Sequence, residues 1–400
     1  MDIEEKIALV QRPPTEEIVT LNELRTLFET RTSPKHYIGL EISGKLHLGS
    51  LIIPGFKIND FIKAGIQSNV FLADWHTYIN NKLNNDWALI EKISQYYEKA
   101  FKFFCPGVNI IFGSDLYKET DDYWKNFIIF STQITLARTL RSPTIMGRTE
   151  KDALDFSQLL YPSMQSVDIK ALDLDIVHAG TDQRKIHMLV REVFPKLNWK
   201  VPVSVHHHIL PGLSEPTLIN SSYSTANTTN NTDNVSLSGT HSGISSMTAS
   251  SSDGAISAST ITNELLSASE SLNINNNNFD DYRIFNKMSK SNPLSSILIH
   301  DSEQEISYKI NKAYCPLGVS KDNPILELME YIIFHQYNEI IVERPSKYGG
   351  NISYSSIEQI KLDYEQKKIH PKDLKLTTSR YLDKIISPVR KHLQNNIVQF

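Results

Sequence analysis

This sequence predicts an α/β fold: a parallel sheet with helices on both faces, followed by a smaller, purely helical domain. Three observations predict it. Short β-rich runs alternate with longer segments of helical spacing through the first half, a Ser/Thr/Asn-rich tract then breaks the pattern, and beyond that tract helical periodicity resumes while strand signals stop. The 400 residues suit two domains, because single cores stop growing near roughly 250–300 residues. A hydrophobic share of 40% is enough to fill both.

The expected strands are residues 37–40, 69–73, 108–112, 174–177 and 201–205, each rich in Val, Ile, Leu or aromatic side chains and short enough to be buried. A helix is expected over 51–64. Another is expected over 87–104, where Leu89, Ile90, Ile93, Tyr97, Ala100, Phe101 and Phe104 share one side. After the tract, helices are expected over 302–314, opened by a Ser302-x-x-Glu305 capping box, and over 324–337, 356–367 and 371–393. The organisation that follows is a sheet domain over 1–213, the tract over 214–282, a loop region over 283–300 that returns to the sheet domain, and a helical domain over 301–400.

The formal charge is −4 and the pI about 6.4, but the charge is unevenly placed. Residues 214–282 hold no Lys or Arg and seven acids, so the rest of the chain has 41 basic against 38 acidic side chains. A basic face that tracks phosphates is compatible with that balance. The tract lacks the apolar residues that would offset its ordering entropy and reads as a disordered insertion. Its Asn-x-Ser/Thr triplets at Asn220, Asn227, Asn230 and Asn234 are what such a composition produces by chance. Two cysteines, Cys105 and Cys315, exclude a disulfide scaffold, and a cytoplasmic location is expected. The start, Met-Asp-Ile-Glu-Glu-Lys, has no apolar signal region, and no stretch approaches the roughly 18 apolar residues of a membrane helix, so no membrane partner is expected.

Open parallel sheets bind ligands outside the carboxyl ends of their strands, so the residues after each strand carry the functional reading. After the first strand stand Glu41, Gly44, His47, Gly49 and Ser50, a Gly-containing turn into a helix, suited to a phosphate chain. A second cluster, Lys287-Met288-Ser289-Lys290-Ser291, is a small-residue loop with two ammonium groups. A third places Tyr161, Gln165 and Asp168 on one helix face among Leu159, Leu160 and Met164, where buried polar groups need a partner.

His47-Leu-Gly49 together with Lys287-Met-Ser-Lys-Ser resembles the paired signatures of class I aminoacyl-tRNA synthetases. The third cluster resembles the tyrosyl-tRNA synthetases of archaeal and eukaryotic type, as do Tyr37-Ile-Gly-Leu-Glu41, Leu72-Ala-Asp74-Trp-His76, Gly180-Thr-Asp-Gln183-Arg184 and Ala313-Tyr-Cys-Pro. The resemblance implies a Rossmann-like catalytic domain with a dimerisation region, a helical anticodon-binding domain and a homodimer. It implies that Tyr37 and Asp168 bind the phenolic hydroxyl of L-tyrosine, and that Tyr161, Gln165 and Gln183 bind its ammonium group. ATP, with Mg²⁺ and no tightly bound cofactor, is expected on Gly39, Glu41, His47, Gly49, Lys287, Ser289 and Lys290, of which His47, Lys287 and Lys290 carry the catalysis. For tRNA-Tyr it implies Arg141 and Arg184 on the acceptor stem, and Tyr348, His370 and Asp373 on the anticodon.

The implied reaction is activation of tyrosine to tyrosyl-adenylate and transfer of the tyrosyl group to the terminal ribose of the tRNA. No protein nucleophile is needed, because the carboxylate itself attacks the α-phosphate. Ser50 stands where the signature has a second His, and the tract enters just before the Lys287 loop. These departures motivate one rival reading, a catalytically silent tRNA-binding paralogue. The other rival is a tryptophan–tRNA ligase of the same class, against which the Tyr37–Asp168 pair suits a phenol. His206-His-His208 reads as a strand end, since neighbouring strand side chains point to opposite faces, and no metal site is expected. Cys315 reads as a packing residue.

Overall fold

In the computed structural model, residues 1–140, 155–216, 287–288 and 293–394 are described. Six strands make one sheet: β1 (Thr15–Val19), β2 (Lys35–Leu40), β3 (Gln67–Leu72), β4 (Asn109–Phe112), β5 (Ile176–Gly180) and β6 (Val203–His207), in the spatial order β1-β6-β5-β2-β3-β4. The five from β2 to β6 are parallel, and β1 is antiparallel to β6. Read from β4, the parallel strands follow the doubly wound order in which the first strand and the fourth are neighbours. Here those two are β2 and β5, with Tyr37 opposite Val177. The chain leaves them in opposite directions, which opens a crevice beyond Leu40 and Gly180.

The helices α1 (Ile3–Gln11), α2 (Leu21–Thr30), α3 (Ile53–Lys63), α4 (Asp74–Ile79), α5 (Trp87–Phe104), α6 (Gly113–Glu119), α7 (Tyr123–Ser131), α8 (Leu136–Leu140), α9 (Tyr161–Ala171) and α10 (Arg184–Val193) accompany the sheet. The Asp86 side chain caps α5 by accepting from the Leu89 N–H at 3.1 Å. Gly55 lets α3 approach the end of α5, since a Cβ there would lie 2.4 Å from Phe104 Cδ1. One core cluster joins Ile7, Leu24, Phe61 and Val205. A second joins Tyr37, Phe71, Tyr117, Tyr123, Tyr161 and Val190, and it surrounds the crevice.

Beyond Lys287 the helices are Glu303–Lys312, Pro324–Leu328 continuing through Met329–Ile333, Ile357–Glu365 and Pro371–Leu393. Ser302 and Glu305 form the expected capping box, Ser302 N–H to Glu305 Oε2 at 2.7 Å and Glu305 N–H to Ser302 Oγ at 3.2 Å. Pro371 sits in the first turn of the last helix, where its missing N–H costs nothing.

Two features depart from the sequence reading. β1 is a strand despite Glu16 and Glu17, because both side chains find partners on the β6 side, Glu17 on His206 and Glu16 on His208. A small hairpin, β7 (Ile340–Val342) with β8 (Ile352–Tyr354), lies within the otherwise helical segment. Strands of three residues are too short to show an alternating pattern. No helix among the described residues is long and apolar enough to cross a membrane.

Candidate active site

At the bottom of the crevice lies a closely packed polar group. Asp168, on α9, is buried, and Tyr123 on α7 donates its hydroxyl to Asp168 Oδ1 at 2.7 Å. Burial pushes the Asp168 carboxyl up to about 8, although the hydroxyls of Tyr123 and Tyr117 work in the other direction. Tyr37, facing it from β2, is buried as well, and burial followed by the Asp168 charge raises its phenol. Tyr161, on the first turn of α9, is raised by burial and then by the nearby charges of Glu41, Tyr37, Asp168 and Asp182. That set of neighbours shows that side chains from β2, α9 and the turn after β5 converge on one place. Gln165, one helical turn on, donates from Nε2 to Gln183 Oε1 at 3.3 Å, and its own Oε1 is buried with no partner among the described residues.

The turn after β2 forms one wall. Gly39 lies on an exposed part of the strand, and Glu41 accepts from Asn80 Nδ2 at 2.6 Å. His47 caps the turn Leu48–Ile52: its Nδ1 accepts from the Gly49 N–H at 3.2 Å. A Cβ on Gly49 would lie 3.2 Å from His47 Cε1, so the glycine is what lets the imidazole fold over the turn. Ser50 completes the turn through its hydroxyl on the His47 backbone.

The opposite wall follows β5 and β6. Gly180 ends β5 and allows Asp182 to curl back, since a Cβ there would lie 2.7 Å from Asp182 Oδ1. Asp182 Oδ2 receives Lys287 Nζ at 3.3 Å. Lys287 itself is placed by backbone pairing with Pro211 and by the Met288 N–H to Leu210 carbonyl bond at 2.8 Å. Ser289 and Lys290 lie outside the described residues.

A sequence model of the family described as tRNA synthetases class I (W and Y) matches residues 29–234 and 285–387. The chain belongs to the class I tRNA synthetases. A tyrosine–tRNA ligase of Thermococcus sibiricus is 38% identical over 414 residues, covering 99% of this chain and 96% of the relative. Among solved structures, a Pyrococcus horikoshii tyrosyl-tRNA synthetase complexed with L-tyrosine matches at 37% identity, a TM-score of 0.80 and coverage of 99% and 97% of the two chains. That of Archaeoglobus fulgidus, also complexed with L-tyrosine, matches at 32% identity and a TM-score of 0.75 over 98% of this chain and all 100% of its own. The family match leaves out residues 235–284, most of the polar tract of this synthetase.

The remaining positions read from the sequence of the synthetase lie away from the crevice floor. Arg184, at the start of α10, is clamped on Glu17 of β1, Nε to Oε2 and Nη2 to Oε1 both at 2.8 Å. Tyr348 is 61% exposed on the β7–β8 connection, with Lys347 Nζ 4.9 Å from its ring centroid. His370 Nδ1 accepts from the Lys372 N–H at 3.1 Å and so caps the last helix, while Asp373 lies in that helix's first turn. Arg141 lies outside the described residues.

The three consecutive histidines of the synthetase have separate partners. His206 lies between Glu17 and His187, His207 on His178, and His208 between Glu16 at 2.6 Å and Glu327 at 2.7 Å. Cys315 Sγ lies 3.2 Å from the Tyr364 hydroxyl. Sequence reasoning missed His76, Tyr117 and Tyr123, which surround Asp168. His76 entered the sequence reading only within the Leu72-Ala-Asp74-Trp-His76 resemblance, and Tyr117 and Tyr123 did not enter it.

Proposed function

We infer that this synthetase is a tyrosine–tRNA ligase: it joins the carboxylate of L-tyrosine to the α-phosphate of ATP, releases pyrophosphate, and passes the tyrosyl group to the 3′-terminal ribose of tRNA-Tyr. The observation that carries this reading is the buried Asp168 beside Tyr37, with Tyr123 already holding one of its oxygens. A site built around such groups takes a phenol. It rejects phenylalanine by roughly 10⁴–10⁵, because the buried carboxyl would be left unpaired. An indole N–H placed there would leave Tyr37 without an acceptor of its own, which disfavours tryptophan.

Tyr161, Gln165 and Gln183 hold the ammonium group of the substrate; supporting this, Gln165 Oε1 is a buried acceptor with no partner among the described residues. Gly39, Glu41 and Gly49 line the ATP side. His47 Nδ1 is engaged as an acceptor, which puts the proton of the neutral ring on Nε2 and makes that nitrogen a donor to a phosphate oxygen. Lys287, with Ser289 and Lys290 beyond it in the chain, balances charge on the β- and γ-phosphates as pyrophosphate leaves. Mg²⁺ would enter on the triphosphate, where it neutralises phosphate charge.

Arg184 with Arg141 serves the acceptor stem, and Tyr348 with His370 and Asp373 serves the anticodon, an exposed ring for stacking and polar groups for base edges. The body over 1–213 with the 283–300 loop is catalytic, and 301–400 is the anticodon-binding part. A second copy covers the apolar face of α7 and α8, where Trp124, Ile128, Leu136 and Leu140 are 53%, 63%, 64% and 44% exposed. The working location is the cytoplasm, with its ATP and tRNA.

Pyrophosphate exchange tests the reading. Tyrosine supports exchange into ATP while tryptophan and phenylalanine do not; exchange driven by tryptophan, or by none of the three, would overturn it.

A further inference from the structure

Asp168 is surrounded by more than the substrate requires. The groups that face it are Tyr37 from β2, Asp74 and His76 from α4, Tyr117 from α6, Tyr123 from α7 and Tyr161 from its own helix. Two of them differ in what they leave open. The Tyr123 hydroxyl is committed to Asp168 Oδ1 at 2.7 Å. His76 Nε2 lies 3.5 Å from Oδ2 and makes no hydrogen bond among the described residues, although the ring is buried. Its Nδ1 faces the Tyr117 hydroxyl at 3.4 Å, and its ring stands edge-on to Tyr161 with centroids 4.7 Å apart.

A buried nitrogen without a partner is expensive unless a ligand completes it. Burial holds the imidazole neutral, down to about 3, so it meets a neutral ligand group without bringing a charge. Asp74 cannot supply the missing contact, because its oxygens are taken by the N–H groups of Trp75 at 2.7 Å and Ser114 at 3.0 and 3.1 Å.

We propose that Tyr123 and His76 are positioning residues for recognition of the substrate phenol. Tyr123 occupies one oxygen of Asp168 and aims the other at the hydroxyl, and His76 Nε2 closes the far side of that hydroxyl. The inference rests on Asp168 being the phenol's partner. Its content is that hydroxyl discrimination depends on how the carboxyl is held as well as on the carboxyl itself. Tyr123 also opposes protonation of Asp168, so its hydroxyl keeps the carboxyl an acceptor at lower pH than burial alone would allow.

The test compares Tyr123→Phe, His76→Gln and Asp168→Asn by steady-state activation kinetics. Tyr123→Phe keeps the ring and removes one hydroxyl. It is expected to raise KM for tyrosine about ten-fold, with kcat and KM for ATP within about two-fold. It should also move the acidic limb of kcat/KM for tyrosine to higher pH, which loss of packing alone would not do. His76→Gln, which retains a polar atom without the ring, should raise KM for tyrosine without moving that limb; it provides the same KM reading if the first variant does not fold. If Asp168→Asn raises KM for tyrosine while the other two leave it unchanged, the inference is wrong and the reading of Asp168 stands. If Asp168→Asn leaves KM unchanged, the underlying reading of the phenol site fails.

Discussion

The Ser50 hydroxyl makes a two-way contact with the backbone of His47, accepting from its N–H at 2.9 Å and donating to its carbonyl at 3.2 Å. A serine at the fourth position of the first signature therefore closes the turn on which the His47 imidazole rests. The family resemblance expects a second imidazole there, and the geometry shows what stands in its place.

Ser50→Ala removes that cap. Loss of a side-chain cap costs about 1 kcal/mol, and the cost should appear at the ATP side of the site. The expected result is a several-fold rise in KM for ATP in pyrophosphate exchange with tyrosine affinity unchanged. A loss confined to tyrosine would contradict the placement of this turn.

Lys287 is tied to Asp182 at 3.3 Å and is half-buried. Lys287→Met keeps the aliphatic stem and removes the ammonium. Single-turnover formation of the adenylate should slow by about 10²–10³-fold, as for loss of one transition-state donor, while equilibrium binding of tyrosine stays within about two-fold. An unchanged rate would assign the phosphate work to the remainder of that loop, Lys290 first.

Much of this architecture is legible in the sequence, for identifiable reasons. Helix Trp87–Phe104 and helix Pro371–Leu393 fall where the spacing and the helix-start residues put them, because long amphipathic periods leave little choice of register. Tyr161, Gln165 and Asp168 fall on one helix, as i, i+4, i+7 spacing requires. β1 was hidden because its charges are satisfied by histidines 189 and 192 positions away, Glu17 by His206 and Glu16 by His208. Separation in sequence likewise hid Tyr123, whose bond to Asp168 spans 45 positions. Pattern reports which face of an element is apolar; it does not report which polar group waits on the facing element.

The buried histidines predict a direction for acid sensitivity. Burial lowers His36 and His76 to about 3 and His207 to about 4, and holds His178 and His187 well below the ordinary range. These groups stay neutral in the folded protein while the unfolded chain takes up their protons near pH 6.5. Stability is therefore lost as pH falls from about 6.5 toward 4, at roughly 1.4 kcal/mol per pH unit for each such histidine. Asp168, raised by burial to about 8, acts in the opposite sense, gaining its proton in the fold first. His208 acts with it, raised against its burial by its hydrogen bonds to Glu16 and Glu327, and five groups against two leave a net loss. The melting temperature should fall steadily between pH 7 and pH 5 at constant ionic strength, and a flat profile would mean that the histidines are not held neutral.

The central claim is that the crevice between β2 and β5 selects a phenol and delivers it to tRNA. Charging of tRNA-Tyr with labelled amino acid tests this most directly. The account predicts ATP-dependent tyrosylation of the 3′-terminal ribose that is abolished by omitting ATP and not supported by tryptophan on tRNA-Trp. Tryptophanylation, or binding of tRNA-Tyr with no acylation at any concentration of tyrosine and ATP, would contradict it.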